Sequence, residues 1–164
     1  MAYTWDIASL VTTKGMESMS QDPRREIARR LIDSRRQERT GADTAARAAA
    51  SACDHLYREL SRWVGVDGCH ALFTRALSQA RIEHPALTPI QLRARSEPYI
   101  DDLAASIMAY GDAGTAEALE SMLVRLLELL GRLIGYDMAM KLVGRSLASP
   151  EGSDATPGSS REEA

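Results

Sequence analysis

VGVDGCHALFTRAL, residues 64–77, returns seventy residues later as IGYDMAMKLVGRSL, residues 134–147. Each copy joins two apolar helical stripes through Gly-x-Asp. Glycine suits the left-handed stop of one helix, and aspartate suits the cap that opens the next. Over residues 51–77, Ser51, Leu56, Leu60, Arg62, Gly65, Asp67, Leu72, Arg75 and Leu77 meet Ser121, Leu126, Leu130, Arg132, Gly135, Asp137, Leu142, Arg145 and Leu147. Composition alone would supply about two such identities. The apolar face repeats as well, with Ala49, Cys53, Leu56, Leu60 and Trp63 falling on Leu119, Leu123, Leu126, Leu130 and Leu133. Gly41 and Gly111 extend the register. These matches predict a duplicated three-helix unit closed about a pseudo-twofold axis, because each half alone would expose an apolar face. Gly65, Asp67, Gly135 and Asp137 are its expected structural caps.

Working outward, apolar residues recur at three- and four-residue spacing and almost nowhere with period two, so the fold class is all-α. Asp22-Pro23 opens a first helix to about residue 39. A second is expected over 42–64, with Trp63 and Val64 on its core face, and a third over 68–83. Residues 84–98, HPALTPIQLRARSEP, hold three prolines and break the pattern. Helices over 98–110 and 115–134, and a last one from the Asp137 cap to about 148, complete a single bundle of about six, in units of about 22–83 and 92–148. Residues 1–21 read as an arm or short docking helix. Residues 149–164, rich in Ser, Gly, Pro and acid, read as a disordered tail.

A length of 164 residues with 45% hydrophobic content suits one core. A net charge of −3 supplies no global field to gather polyanions. Two cysteines make no disulfide framework, the start lacks a basic leader, and Arg125, Glu128 and Arg132 interrupt the greasiest run. Those features lead to the expectation of a cytoplasmic chain with no membrane span.

Chemistry is sparse. Cys53 and Cys69 should lie roughly 12 Å apart along their hairpin, too far for a disulfide or a shared ion. His55 should sit off its helix's apolar face, and His70 at the edge of its own. Adjacent Cys69 and His70 point 100° apart on a helix, so they form no nucleophile and base. No metal ligand set, catalytic group or cofactor is expected, although a pocket in the bundle would use His70 or Cys69 as ligand. Glu97, Asp101 and Asp102 are expected to favour the positive end of a helix dipole.

The strongest charge signal is residues 22–39, with seven arginines against four acids. Arg25, Arg29 and Arg36 project from one side and could meet a partner or phosphates. Glu26 with Arg30, and Arg29 with Asp33, could instead pair along the helix. The leading expectation is a non-enzymatic protein–protein interaction or regulatory module, binding through a bundle face or the arginine helix, with a homodimer as one form. The alternatives are a nucleic-acid-associated regulator and a ligand or cofactor sensor with a pocket between the repeat units.

Overall fold

In the computed structural model, the described residues are 22–38 and 44–148. They hold five helices: α1 (Pro23–Glu38), α2 (Ala45–Val64), α3 (Val66–Glu83), α4 (Leu103–Ile134) and α5 (Tyr136–Ala148). The class is all-α, as the periodicity predicts. The arm, the tail and Gly41 lie outside the described residues. Among the described residues, no helix is long and apolar enough to cross a membrane.

The local chemistry accounts for the element ends. At α1 the Asp22 carboxylate accepts the Arg24 N–H at 3.0 Å, with proline following as expected. At α2, Thr44 Oγ1 accepts the Arg47 N–H, while Asp112 accepts the Ala45 and Ala46 N–H groups at 3.0 Å each. Gly65 (φ 85°, ψ 154°) and Gly135 (φ 86°, ψ 146°) stop α2 and α4 in closely matching conformations. Each glycine carbonyl then accepts the first bond of the next helix, from Cys69 or Ala139. The following helices therefore start at Val66 and Tyr136. Asp67 and Asp137 lie inside the first turn, where they favour the dipole, instead of preceding it as caps.

Two expected helices, 98–110 and 115–134, are one element here. The break is confined to Gly111 (φ 80°, ψ 164°), and helical conformation resumes at once, so no linker separates the limbs. Residues 98–102 are not helical. They belong to an irregular segment holding a 3-10 turn (Pro85–Leu87) and a minimal antiparallel pair, β1 (Gln91–Leu92) and β2 (Ile100–Asp101). The Glu97–Pro98 peptide bond in it is cis. Arg81 ties the segment to α3 through the carbonyls of Leu87 and Ile90. Buried Ser106 donates to the Ala86 carbonyl at 2.6 Å, so the Thr115 hydroxyl, 2.9 Å away, donates to Ser106. That chain of bonds spans the Gly111 break.

The core is aliphatic with a small aromatic centre. Ala49, Cys53, Leu56 and Leu60 of α2 are buried, as are Leu119, Leu123, Leu126 and Leu130 of α4. Trp63 corrects the expected face: it is 60% exposed, and its counterpart Leu133 is 61% exposed, because both occupy the last turn before a glycine stop. The Arg145 guanidinium lies over the Trp63 ring.

Two segments cover these central helices. Helix α1 buries Ala28 and Leu31, and its Arg25 and Arg29 reach Glu120 of α4 while Arg24 reaches Glu128. Burying Leu31 contributes about 1.5–3 kcal/mol, and each of the three partly exposed ion pairs adds at most about 1 kcal/mol, so apolar contact and charge both hold this helix. The irregular segment covers α2: the Asp54 carboxylate accepts the Ile100 N–H at 3.0 Å, and Glu97 pairs with Arg58 at 3.5 Å.

Candidate functional site: a polar cleft against the second helix

The fourfold spacing along α2 that buries Ala49, Cys53, Leu56 and Leu60 turns Arg47, Ser51, Asp54, Arg58 and Ser61 to another side. In a helix of a bundle such a side ordinarily meets water. Here the irregular segment arches over it, and a cleft of about 950 Å³ remains between them, with Arg35 and Glu38 of α1 at one end. That volume falls within the range of small-molecule sites, about 300–1,000 Å³.

Aromatic rings form its firm wall. Tyr57 of α2 and Tyr99 of the segment stack with centroids 3.7 Å apart and planes 7° from parallel, and Phe73 meets both rings edge-on. The Tyr99 hydroxyl lies 3.0 Å from His70 Nδ1. Burial pushes the Tyr99 phenol well above its ordinary value. The Tyr57 hydroxyl is buried and, among the described residues, has no hydrogen-bond partner.

Asp54 is the group whose ionisation is most disturbed within reach of solvent. Burial raises its carboxyl to about 6, against the lowering influence of the Ile100 and Tyr99 N–H groups and of Arg58, with Glu97 adding to the rise. Among the described residues no arginine or lysine forms a salt bridge with it, while neighbouring Arg58 pairs with Glu97, Arg35 with Glu38 and Arg95 with Asp67.

His55 also borders the cleft, and it corrects the sequence reading. Instead of lying off the packed face it is 4% exposed, because α5 passes beside it. Its Nε2 stands 2.9 Å from the Ser146 carbonyl, which can only accept, so Nε2 carries the proton. Nδ1 is then an acceptor, and among the described residues it has no hydrogen-bond partner. Burial lowers the pKa of the ring, and nearby Arg35 lowers it further.

The other candidates are dispersed. Arg25 and Arg29 converge on Glu120 instead of standing clear as a cationic row, and Arg29 takes that partner in place of the expected Asp33. Arg30 does pair with Glu26, at 3.0 Å. Arg36 is exposed, and its charge helps to lower the Asp112 carboxyl. Glu97, Asp101 and Asp102 are wall residues of the cleft instead of the first turn of a helix over 98–110; Asp101 pairs with Arg93, and Asp102 makes no side-chain cap. Both thiols are free and buried, with Cys69 pushed up to about 11 by desolvation, which leaves little thiolate. Among the described residues, no group of three or more His, Cys, Asp or Glu is placed to hold a metal ion.

Sequence reasoning missed Asp54, Tyr57 and Tyr99. One signal was present: at seventy residues' offset Asp54 meets Val124 and Arg58 meets Glu128, so the polar side of α2 departs from its counterpart where the cleft lies. The proline-rich stretch spoke only of a break, and nothing in it announced that it folds back over that side. Compared with models of protein families, with curated proteins and with solved structures, the chain matches none, and the chemistry of the cleft rests on its own residues.

Proposed function

We propose that the chain is a non-enzymatic regulatory module that binds a small polar molecule in the cleft between two duplicated helical units. The duplication is supported by the repeated residues, by the matching Gly65 and Gly135 conformations, and by reciprocal covering. With the limbs of α4 on either side of Gly111 taken as two helices, each unit has three. The opening segment of each unit lies across the central helix of the other: α1 over α4, and residues 93–102 over α2.

One observation carries the functional reading. The cleft is lined by Tyr57 and His55, whose buried Oη and Nδ1 have no hydrogen-bond partner among the described residues, beside a carboxyl raised by burial. Unpartnered buried polar atoms cost about 1–3 kcal/mol each, which a ligand able to hydrogen-bond there would recover. Such a site fits the sensor alternative better than the arginine helix fits nucleic acid, since two of its three arginines share Glu120.

The test is a screen of small polar compounds by amide chemical shift and melting temperature. Compounds should shift the Asp54, Tyr57 and Ile100 signals and raise the melting temperature. Ser51→Trp, which fills the cleft, should abolish both effects while the fold persists. A screen without binders, or binders indifferent to Ser51→Trp, overturns the proposal.

A protein partner is a second reading, favoured by Trp63, Leu133, Tyr136 and Met138, all exposed at or next to the two glycine stops. Light scattering and capture with Trp63→Ala/Leu133→Ala as control would test it; a monodisperse monomer with no partner lost on substitution argues against it.

A further inference from the structure

Resting on the reading of the cleft as a ligand site, we propose that its ligand is a small organic cation, a primary ammonium on a short apolar skeleton, seated between the Asp54 carboxylate and the Tyr57 hydroxyl.

Three observations converge on that chemistry. First, residues three apart on a helix share a side, so Asp54 and Tyr57 of α2 can meet one ligand group at once. An ammonium offers three donors and no acceptor, and both of these oxygens can accept. Second, three of the four arginines that line the cleft have carboxylate partners, Arg58 with Glu97, Arg35 with Glu38 and Arg95 with Asp67, whereas exposed Arg47 forms no ion pair among the described residues. An anionic ligand at any of those three would have to displace a carboxylate. Asp54 forms no salt bridge among the described residues, and the Ile100 and Tyr99 N–H groups together with Arg58 do not offset its burial. Third, among the polar lining residues the stacked tyrosines, Pro98 and Leu103 supply apolar surface that suits a short hydrocarbon or aromatic body.

The position within the cleft follows from charge. Arg35 and Arg58 disfavour a proton on His55 while Glu59 favours one, and the negative carboxylate of Asp54 is the group in the cleft that would draw a cation. The titratable and charged groups that line the cleft with Asp54 are Arg47, His55, Tyr57 and Arg58 from its own helix, Arg95, Glu97, Tyr99, Asp101 and Asp102 from the covering segment, and Arg35 with Glu38 from α1. Asp54 carries negative charge fully only above about 6, so cation affinity should rise with pH through that value.

The experiment titrates the full chain with 2-phenylethylamine, 2-phenylethanol and 3-phenylpropanoate, following backbone amides at pH 5 and pH 7.5. At pH 7.5 the amine should bind on the order of tenfold more tightly than the alcohol, with shifts at Asp54, Tyr57 and Ile100. At pH 5 that preference should shrink to about twofold or less. Asp54→Asn should remove the preference at both pH values, whereas His55→Gln and Asp101→Asn should leave its pH dependence in place. Equal binding of alcohol and amine, tighter binding of the carboxylate, or an amine preference that survives Asp54→Asn overturns the proposal. In those cases, shifts confined to the cleft amides would leave the ligand-site reading standing. No binding by any probe overturns the ammonium assignment, and the wider screen with Ser51→Trp then decides the cleft.

Discussion

Alanine placed at Gly135 and at Gly144 should move stability in opposite directions, and the structure sets both magnitudes. Gly135 has φ 86° and ψ 146°, next to a region that residues with a Cβ essentially do not occupy. An added Cβ there would meet nothing within 4 Å, so no neighbour contributes a collision and the penalty is the backbone's own strain, about 1–3 kcal/mol. Gly144 lies inside α5 in ordinary helical conformation, exposed, again with nothing within 4 Å of the added Cβ. There alanine should stabilise by about 0.5–1 kcal/mol through lower unfolded-state entropy and better helix propensity. Urea denaturation of both variants should therefore separate them by about 1.5–4 kcal/mol at an unchanged m-value. Gly65→Ala, at φ 85° and ψ 154° with equal open space, should lie within about 1 kcal/mol of Gly135→Ala. A Gly135→Ala protein as stable as the parent would refute the reasoning, since strain is the only cost the site offers.

Other substitutions test separate parts of the argument. A carboxyl whose folded pKa lies above its unfolded value binds more protons when folded, so its contribution is present below about pH 4 and is lost as pH rises through about 6. Asp54→Asn, whose amide oxygen can still accept the Ile100 N–H, should therefore stabilise at pH 7 by on the order of 1 kcal/mol and change little at pH 4. Asp54→Val should instead destabilise at pH 4 by about 1–3 kcal/mol, because the Ile100 N–H loses its acceptor; melting curves at the two pH values separate the cases. For Asp112, burial alone would raise the carboxyl, but the Ala46 N–H, the Thr44 hydroxyl and the Ala45 N–H outweigh it and hold it low. Asp112→Ala should cost about 1 kcal/mol at pH 7, with the difference fading as the pH falls below 3.8 through the lowered value of that carboxyl. Leu56→Ala and Leu126→Ala, both in the core, should each cost about 2–5 kcal/mol in urea unfolding. Leu133→Ala, more than half exposed, should cost under about 1 kcal/mol.

The legible parts of the sequence are those governed by local rules. Helical spacing, the Asp22-Pro23 start and the two glycine stops each depend on a few adjacent residues, and the structure has them where that chemistry puts them. Errors arose where a neighbour distant in sequence decides the outcome. His55 is buried only because α5 passes beside it, and Trp63 is exposed because no element reaches past the end of α2. The Gly111 break looked like a linker because Gly-Asp-Ala-Gly resembles one. Its Asp112 is committed elsewhere, to the first N–H groups of α2, more than sixty residues away. The candidate site was the least legible, since it exists only between a helix side and an irregular segment whose path no period describes.

The contrast between the two covering segments explains why a cleft forms on one side only. Helix α1 satisfies its own backbone and presents side chains to α4, so it packs with apolar residues and needs from α4 only Glu120 and Glu128 for its arginines. An irregular cover has backbone N–H groups with no helical partner, and buried donors require acceptors. Ile100 finds its acceptor in the Asp54 carboxylate, whose charge the Tyr99 N–H also favours, and that carboxylate must then be held away from water although burial opposes its charge. At the corresponding place on α4, Val124 has no such duty. The carboxyl that fastens the cover is thus one that no salt bridge among the described residues neutralises, although Arg58 lowers it, and that is the electrostatic demand the proposed ammonium would meet.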